Sequence, residues 1–152
     1  MSPDKVSKRV VIERLEWVDH MVQEIEGLPL DDYDLFFSDN RNVWTAESCL
    51  RRALEALLDL GRHILAKGFA IGTTEYKEIA TRSQEVGILT KEEATLLRKL
   101  AGYRNRMVHF YHEVQPDELF ALCADNLDDV TAIAEVYRHW LNENPDKLDS
   151  TL

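Results

Sequence analysis

Residues 41–67, RNVWTAESCLRRALEALLDLGRHILAK, form the stretch that decides the fold. Their apolar side chains recur every three or four positions, which is the spacing of one face of an α-helix. We therefore predict one long amphipathic helix, which we expect Gly68 to stop. The apolar positions are Val43, Ala46, Leu50, Ala53, Leu57, Leu60 and Ile64.

Two helices are predicted before this stretch. Residues 5–26 carry apolar side chains at spacings of 4, 3, 4 and 3, and Gly27 follows as a stop signal. The acidic pair Asp31 and Asp32 offers an N-cap for a short helix that runs through Phe37.

Three helices are predicted after it. The first runs from about Glu75 to Val86, and Gly87 ends it. Thr90 and Glu93 have the form of a capping box, which opens a helix to about His109. Pro116 starts a final long helix, with an apolar stripe that lasts until residues 144–145.

The whole chain reads as an all-α protein. Only 6 Gly and 4 Pro interrupt 152 residues, and no strand-like alternation or internal repeat is visible. We predict an antiparallel bundle of four to five main helices plus one short helix. It forms a single domain over residues 1–152, with a core at about 5–143 and a frayed tail at 145–152.

Composition narrows the class of protein. The 18 basic and 28 acidic residues give a net charge of −10, which excludes a protein that coats nucleic acid over its whole surface. Cys49 and Cys123 do not form a disulfide framework or a metal set, so we predict no metal and no cofactor. No secretion signal or apolar membrane span is visible, and we expect a cytoplasmic protein.

The charge is unevenly distributed. Residues 94–112 contain four basic and no acidic side chains, although the rest of the chain is acidic. A helix end also favours basic residues, so chance and the helix dipole remain an alternative explanation. We predict that this window contacts RNA through Arg98, Lys99, Arg106 and His112.

Arg104, Asn105 and His109 form a cluster with chemical uses inside this window. Asn105 and His109 are four residues apart and share one face of a helix, so the amide can orient the imidazole. Arg104 lies about 140° around the helix from His109. A joint site therefore requires a distorted helix end, a groove with both residues on its walls, or a symmetric partner.

An arginine and a histidine are sufficient for RNA cleavage without a metal. The guanidinium binds a phosphate, and the imidazole transfers a proton near neutral pH. The ribose 2′-OH attacks the adjacent phosphate, so no external nucleophile is needed. Taken one by one, however, such residues near a helix end are more often caps or packing groups.

The motif Arg104-Asn105-x-x-x-His109 resembles the R-x-x-x-x-H signature of HEPN domains. With Tyr111 it is similar to the R-x-x-x-x-H-x-Y pattern of HepT-like toxins in MNT–HepT toxin–antitoxin pairs. Residues 87–89, 100–103 and 52–64 resemble the same family, so the similarity covers roughly residues 5–143.

The resemblance implies a homodimeric helical bundle that acts as a ribonuclease toxin of a type VII-like pair. It implies Arg104 and His109 as the catalytic pair and Asn105 as the residue that orients the site. Tyr111 matches the tyrosine to which an MNT-type nucleotidyltransferase antitoxin adds AMP. An AMP there places bulk and negative charge where an RNA phosphate must bind.

Two other functions remain open. HEPN domains include members without nuclease activity, so the chain could be a module that binds a nucleotidyltransferase partner or a nucleotide. In a plain helical scaffold, Arg104 and His109 would only cap and pack the helix end.

Overall fold

Seven helices form a bundle in a computed structural model that describes residues 5–109 and 114–149. This confirms the predicted all-α class. The helices are α1 (Lys8–Glu26), α2 (Tyr33–Phe37), α3 (Asn40–Phe69), α4 (Tyr76–Glu85), α5 (Lys91–His109), α6 (Pro116–Asp125) and α7 (Leu127–Glu143). A 3₁₀ turn follows at Pro145–Lys147, and two short strands, β1 (Val6–Ser7) and β2 (Leu148–Asp149), complete the described elements.

Helix α3 is the centre of the bundle. It contacts α1, α2, α4, α5, α6 and α7. Its consecutive residues Leu57 and Leu58 are both fully buried, which shows that neighbours cover it on more than one side. Helix α1 runs antiparallel to it. At one end of the pair, the Ser7 amide just before α1 donates to His63 Nε2 of α3 at 2.9 Å. At the other end, Glu24 of α1 lies near Cys49 of α3, and burial together with this carboxylate raises the pKa of Cys49.

Helix α3 continues through Gly68, where we expected it to stop. Gly68 is buried, and a Cβ at this position would lie 3.3 Å from the Val6 side chain. Its carbonyl oxygen also accepts a hydrogen bond from Lys147 Nζ at 3.0 Å. The glycine therefore allows a close approach of Val6, and the helix ends at Phe69, followed by Ala70 with a left-handed φ of 55°.

The single helix predicted after Pro116 is two helices. Asn126 separates α6 from α7 with φ −123° and ψ 7°, outside the helical region. The apolar spacing continues across this residue, so the sequence pattern did not reveal the break. The described part of the chain therefore has six longer helices and one short helix, more than the four to five main helices predicted.

The segment predicted as a frayed tail is ordered through Asp149. Val6 pairs with Leu148 and Ser7 with Asp149 in a parallel ladder. Val6 is fully buried and Leu148 packs against the core, so apolar contact accompanies the pairing. We refer to this β1–β2 pair as the terminal seam.

Gly61 on α3 lies against side chains of both α4 and α7. A Cβ there would lie 2.5 Å from the Tyr137 hydroxyl oxygen and 2.8 Å from Ile79 Cγ2. Tyr137 and Ile79 are fully buried. Burial raises the pKa of Tyr137 to about 12, against a smaller opposing effect of the Ser83 hydroxyl. Within the described residues neither hydroxyl has a hydrogen bond of good geometry.

No helix in the described ranges is both long enough and apolar enough to span a lipid bilayer.

Candidate functional site

The predicted capping box opens α5, the helix that carries the candidate site. The Thr90 hydroxyl accepts from the Glu93 amide at 3.1 Å, and the Glu93 carboxylate accepts from the Thr90 amide at 2.9 Å. These reciprocal bonds satisfy two backbone donors at the start of the helix. Helix α5 then continues to His109, as predicted.

Arg104 lies on the face of α5 that packs into the bundle. Leu97 and Ala101, both fully buried, precede it at spacings of 4 and 3 on the same helical face. Its Nε and Nη2 donate to Glu55 Oε2 of α3 at 3.1 and 2.9 Å. The side chains of Arg104 and Glu55 are only 18% and 26% exposed, so the pair is shielded from solvent on most sides.

Tyr76, the first residue of α4, contacts Arg104 and two further charged side chains beside this pair. The guanidinium carbon of Arg104 lies 4.5 Å from the centre of its ring, and that of Arg62 lies 4.9 Å away. The Tyr76 hydroxyl donates to Asp59 at 3.1 Å. Burial, and then the Asp59 charge, raise the pKa of Tyr76, which therefore stays a neutral donor.

These residues surround a cleft of about 580 Å³ between α3, α4 and α5, which we call the Arg104 cleft. It is lined by Arg62, residues 74–77, Arg104 and Asn105. Asn105 Oδ1 accepts from Arg104 Nη1 at 3.4 Å, so its amide NH₂ remains available as a donor. Three cations and an amide face one exposed carboxylate, Glu75, across the lining. This arrangement can hold an anionic group such as a phosphate.

The remaining motif positions fall at or beyond the end of α5. The structure describes His109 only as the last residue of the helix, and its side chain lies outside the description. Tyr111 and His112 lie outside the described residues. Because α5 is helical through His109, Arg104 and His109 are about 140° apart around its axis.

The other basic residues of the window point in different directions. Arg98 donates to Thr81 of α4 at 3.3 Å, on the side of α5 that faces that helix. Lys99 lies beside an apolar crevice between α3 and α7. Arg106 makes a two-point ion pair with Glu118 of α6, with N–O distances of 2.7 and 2.9 Å, and lowers the pKa of that carboxyl. The structure thus brings Arg104 and Asn105 together and places Arg98, Lys99 and Arg106 elsewhere.

The partners of Arg104 on α3 and α4 were not predicted from the sequence. Arg51, Glu55, Asp59 and Arg62 recur at spacings of 4, 4 and 3, which places four charges on one face of the helix. That pattern was visible in the sequence. Tyr76 carried no comparable signal, because only the fold brings it to Arg104. Among the described residues, no group of three histidine, cysteine or carboxylate side chains is arranged to hold a metal ion.

Known proteins resemble this chain over most of its length. A family model described as ribonuclease HepT-like matches residues 18–137, which include Arg104 and His109. The tRNA nuclease HepT of Aphanizomenon flos-aquae is 32% identical over 116 residues. That match covers 73% of this chain and 76% of the relative.

Solved structures share the fold at lower identity. The tri-AMPylated HEPN toxin of Shewanella oneidensis, solved in complex with its MNT antitoxin, matches with a TM-score of 0.76 and 21% identity over 86% of this chain and 97% of its own. YutE of Bacillus subtilis, a cytosolic protein of unknown function, matches with a TM-score of 0.78 and 17% identity over 97% of this chain and 99% of its own. The family model and the curated relative show that this chain belongs to the HepT-like family.

Proposed function

We propose that this protein is an endoribonuclease toxin that cleaves RNA without a metal, with Arg104 and His109 as the catalytic pair. The observation that supports it most directly is the fixed Arg104 guanidinium, which Glu55 and Tyr76 hold at a cleft large enough for a nucleotide. Because the Aphanizomenon relative is a tRNA nuclease, tRNA is the substrate we would test first.

In the proposed reaction, the 2′-oxygen of a ribose loses its proton and attacks the adjacent phosphorus. The bond from phosphorus to the 5′-oxygen breaks, and that oxygen takes up a proton. The products are a 2′,3′-cyclic phosphate and a 5′-hydroxyl. One His109 acts as the base or as the acid, and Arg104 stabilises the negative charge on the pentavalent phosphorus.

We further propose that the active form is a homodimer. A straight helix separates Arg104 from His109 by about 140°, so a second copy of the chain would be needed to bring both groups, and a second imidazole, to one phosphate. Val108 supports this proposal. It continues the buried face of Leu97, Ala101 and Arg104, yet it is 36% exposed.

Control by an antitoxin is the third part of the proposal. The Shewanella toxin was solved in AMPylated form with an MNT antitoxin. We propose a cognate MNT-type nucleotidyltransferase that transfers AMP to Tyr111, two residues after His109, with Asn105 orienting the unmodified site. We place both proteins in the cytoplasm, as the cytosolic Bacillus neighbour suggests.

Cleavage of tRNA in the presence of EDTA tests the nuclease. We expect products with 2′,3′-cyclic phosphate ends, and loss of at least a hundredfold in rate for His109→Ala, the range expected for removal of a general acid or base. His139→Ala is the matched control, because His139 is 78% exposed and pairs only loosely, at 3.9 Å, with Glu143. Equal cleavage by His109→Ala and the parent protein would refute the mechanism. Stable binding to a nucleotidyltransferase without any RNA turnover would favour the non-catalytic module.

Co-expression with a neighbouring nucleotidyltransferase tests the modification. Intact mass should increase by one or more AMP units in the parent protein and not in Tyr111→Phe. Tyr103→Phe, eight positions earlier in the sequence, should gain mass as the parent does. A mass gain that persists in Tyr111→Phe would assign the modification to another residue.

A further inference from the structure

Arg62 and Lys77 contribute positive charge to the Arg104 cleft that the proposed reaction does not use. The Arg62 guanidinium lines the cleft and makes only a loose ion pair with Asp59, at 3.8 Å. The Lys77 ammonium lies near Gly102 of α5 and forms no ion pair within the described residues. Both cations thus have donors available for a ligand.

Tyr76 limits the distance between Arg62 and Arg104. Arg62 and Arg104 both lie within 5 Å of the centre of the Tyr76 ring, so their guanidinium carbons are no more than about 10 Å apart. Neighbouring phosphates of one nucleic-acid strand can span such a separation. Tyr76 therefore holds the two guanidinium groups close enough to contact neighbouring phosphates of one strand.

Local electrostatics favour an anion at this position. The Glu55 carboxylate accepts from Arg104, and the Tyr76 hydroxyl donates to Asp59. Arg62 and Lys77 have no tight carboxylate partner among the described residues. Helix α4 begins at the cleft, and its N-cap Glu75 makes no side-chain capping bond. The Glu78 carboxylate accepts from the Thr74 amide at 3.0 Å and occupies the positive end of the helix dipole, so the attraction for an anion comes from the Arg62 and Lys77 side chains.

We propose that Arg62 and Lys77 form a subsite for a second RNA phosphate, next to the phosphate that Arg104 binds. This inference rests on the proposed function, because it assigns the second phosphate to the same strand. The ligand group is a phosphate, and its source is the RNA backbone and not a free nucleotide. The subsite positions the strand and takes no part in proton transfer.

The test measures binding of a 2′-O-methyl RNA oligonucleotide, which lacks the attacking hydroxyl, by fluorescence anisotropy over a range of salt concentrations. Arg62→Gln and Lys77→Gln should each weaken binding by about threefold to tenfold, since each removes a charge-assisted contact. Each should also reduce the slope of log affinity against log salt by about 0.7, the single-strand value per phosphate contact. The loss should be similar for oligonucleotides of different sequence.

Arg138→Gln is the matched control. It removes one positive charge from α7, where Arg138 pairs with Asp19 and Glu135, outside the cleft lining. Far-ultraviolet circular dichroism and the melting temperature establish that each variant is folded.

The outcomes separate the subsite from the proposed function. Loss of affinity and slope in the two cleft variants and not in Arg138→Gln supports the subsite. If the cleft variants bind like Arg138→Gln while the parent cleaves tRNA, the subsite is wrong and the proposed function stands. If AMP or inorganic phosphate binds in an Arg62-dependent manner while RNA affinity is unchanged, the phosphate is not that of an RNA strand. If the parent neither binds nor cleaves RNA, the proposed function fails, and the subsite fails with it.

Discussion

Gly61→Ala should destabilise the bundle by steric overlap. The added Cβ would lie 2.5 Å from the Tyr137 hydroxyl oxygen and 2.8 Å from Ile79 Cγ2, where ordinary contacts are no shorter than 3.4 Å. Both neighbours are fully buried, so neither can move into solvent. Overpacking of this kind costs about 1–3 kcal/mol, and two simultaneous overlaps place the cost near about 3 kcal/mol.

A helical alanine gains about 1 kcal/mol over glycine, so the expected net loss is about 2 kcal/mol. In thermal unfolding this corresponds to a decrease in melting temperature of about 4–8 °C for a chain of this size. Urea unfolding followed by circular dichroism gives the free energy directly. Gly72→Ala is the control, because a Cβ there meets no atom within 4 Å.

A second substitution tests the cause. Tyr137→Phe removes a buried hydroxyl that lacks a well-formed hydrogen bond, so alone it should leave stability unchanged or raise it by up to about 1 kcal/mol. Combined with Gly61→Ala, it should recover about half of the loss, since the Ile79 overlap remains. The reasoning is refuted if Gly61→Ala is as stable as the parent, or if Tyr137→Phe gives no recovery.

Three further substitutions test separate contacts. Burial and nearby cations lower the pKa of His63, and only the neutral imidazole accepts from the Ser7 amide. The free energy of unfolding should therefore fall between pH 7.5 and 5. In His63→Gln the urea midpoint should depend less on pH. Stability should be lost as pH decreases through 6.5, the unfolded value, towards the lower folded value. Glu55→Gln leaves the Arg104 guanidinium without its carboxylate and should cost about 1 kcal/mol in urea unfolding, since the pair is partly exposed. Thr90→Ala removes the hydroxyl that caps α5 and should cost about 1 kcal/mol in the same assay.

Local signals in the sequence were sufficient for most helix boundaries. The capping box at Thr90 and the positive-φ Gly87 stand where they were predicted, because each acts through its immediate neighbours. Gly68 misled the prediction, since the reason for a glycine there is the distant Val6 side chain. The break at Asn126 was missed because the apolar spacing continues across it.

The candidate site also contains residues that a local motif predicts and residues that only the fold brings together. Arg104 and Asn105 could be predicted together because they lie in one short motif, and the structure places both at one cleft. Glu55 and Tyr76 are 49 and 28 positions away from Arg104, so no local pattern joins them to it. Arg106 has the same charge as Arg104, yet Glu118 engages it on another side of α5, and only packing distinguishes the two.

The terminal seam bears on the order in which the protein folds. Its two strands are about 140 residues apart in sequence, and closing so long a loop in a free chain costs about 4 kcal/mol of entropy. Each hydrogen bond of a two-residue ladder stabilises the fold by only about 1 kcal/mol, which is less than this entropic cost of closing the loop. The seam can therefore form only after α1, α3 and α7 have brought both ends together. Backbone amide exchange in Val6–Ser7 and Leu148–Asp149 would then report the last step of assembly.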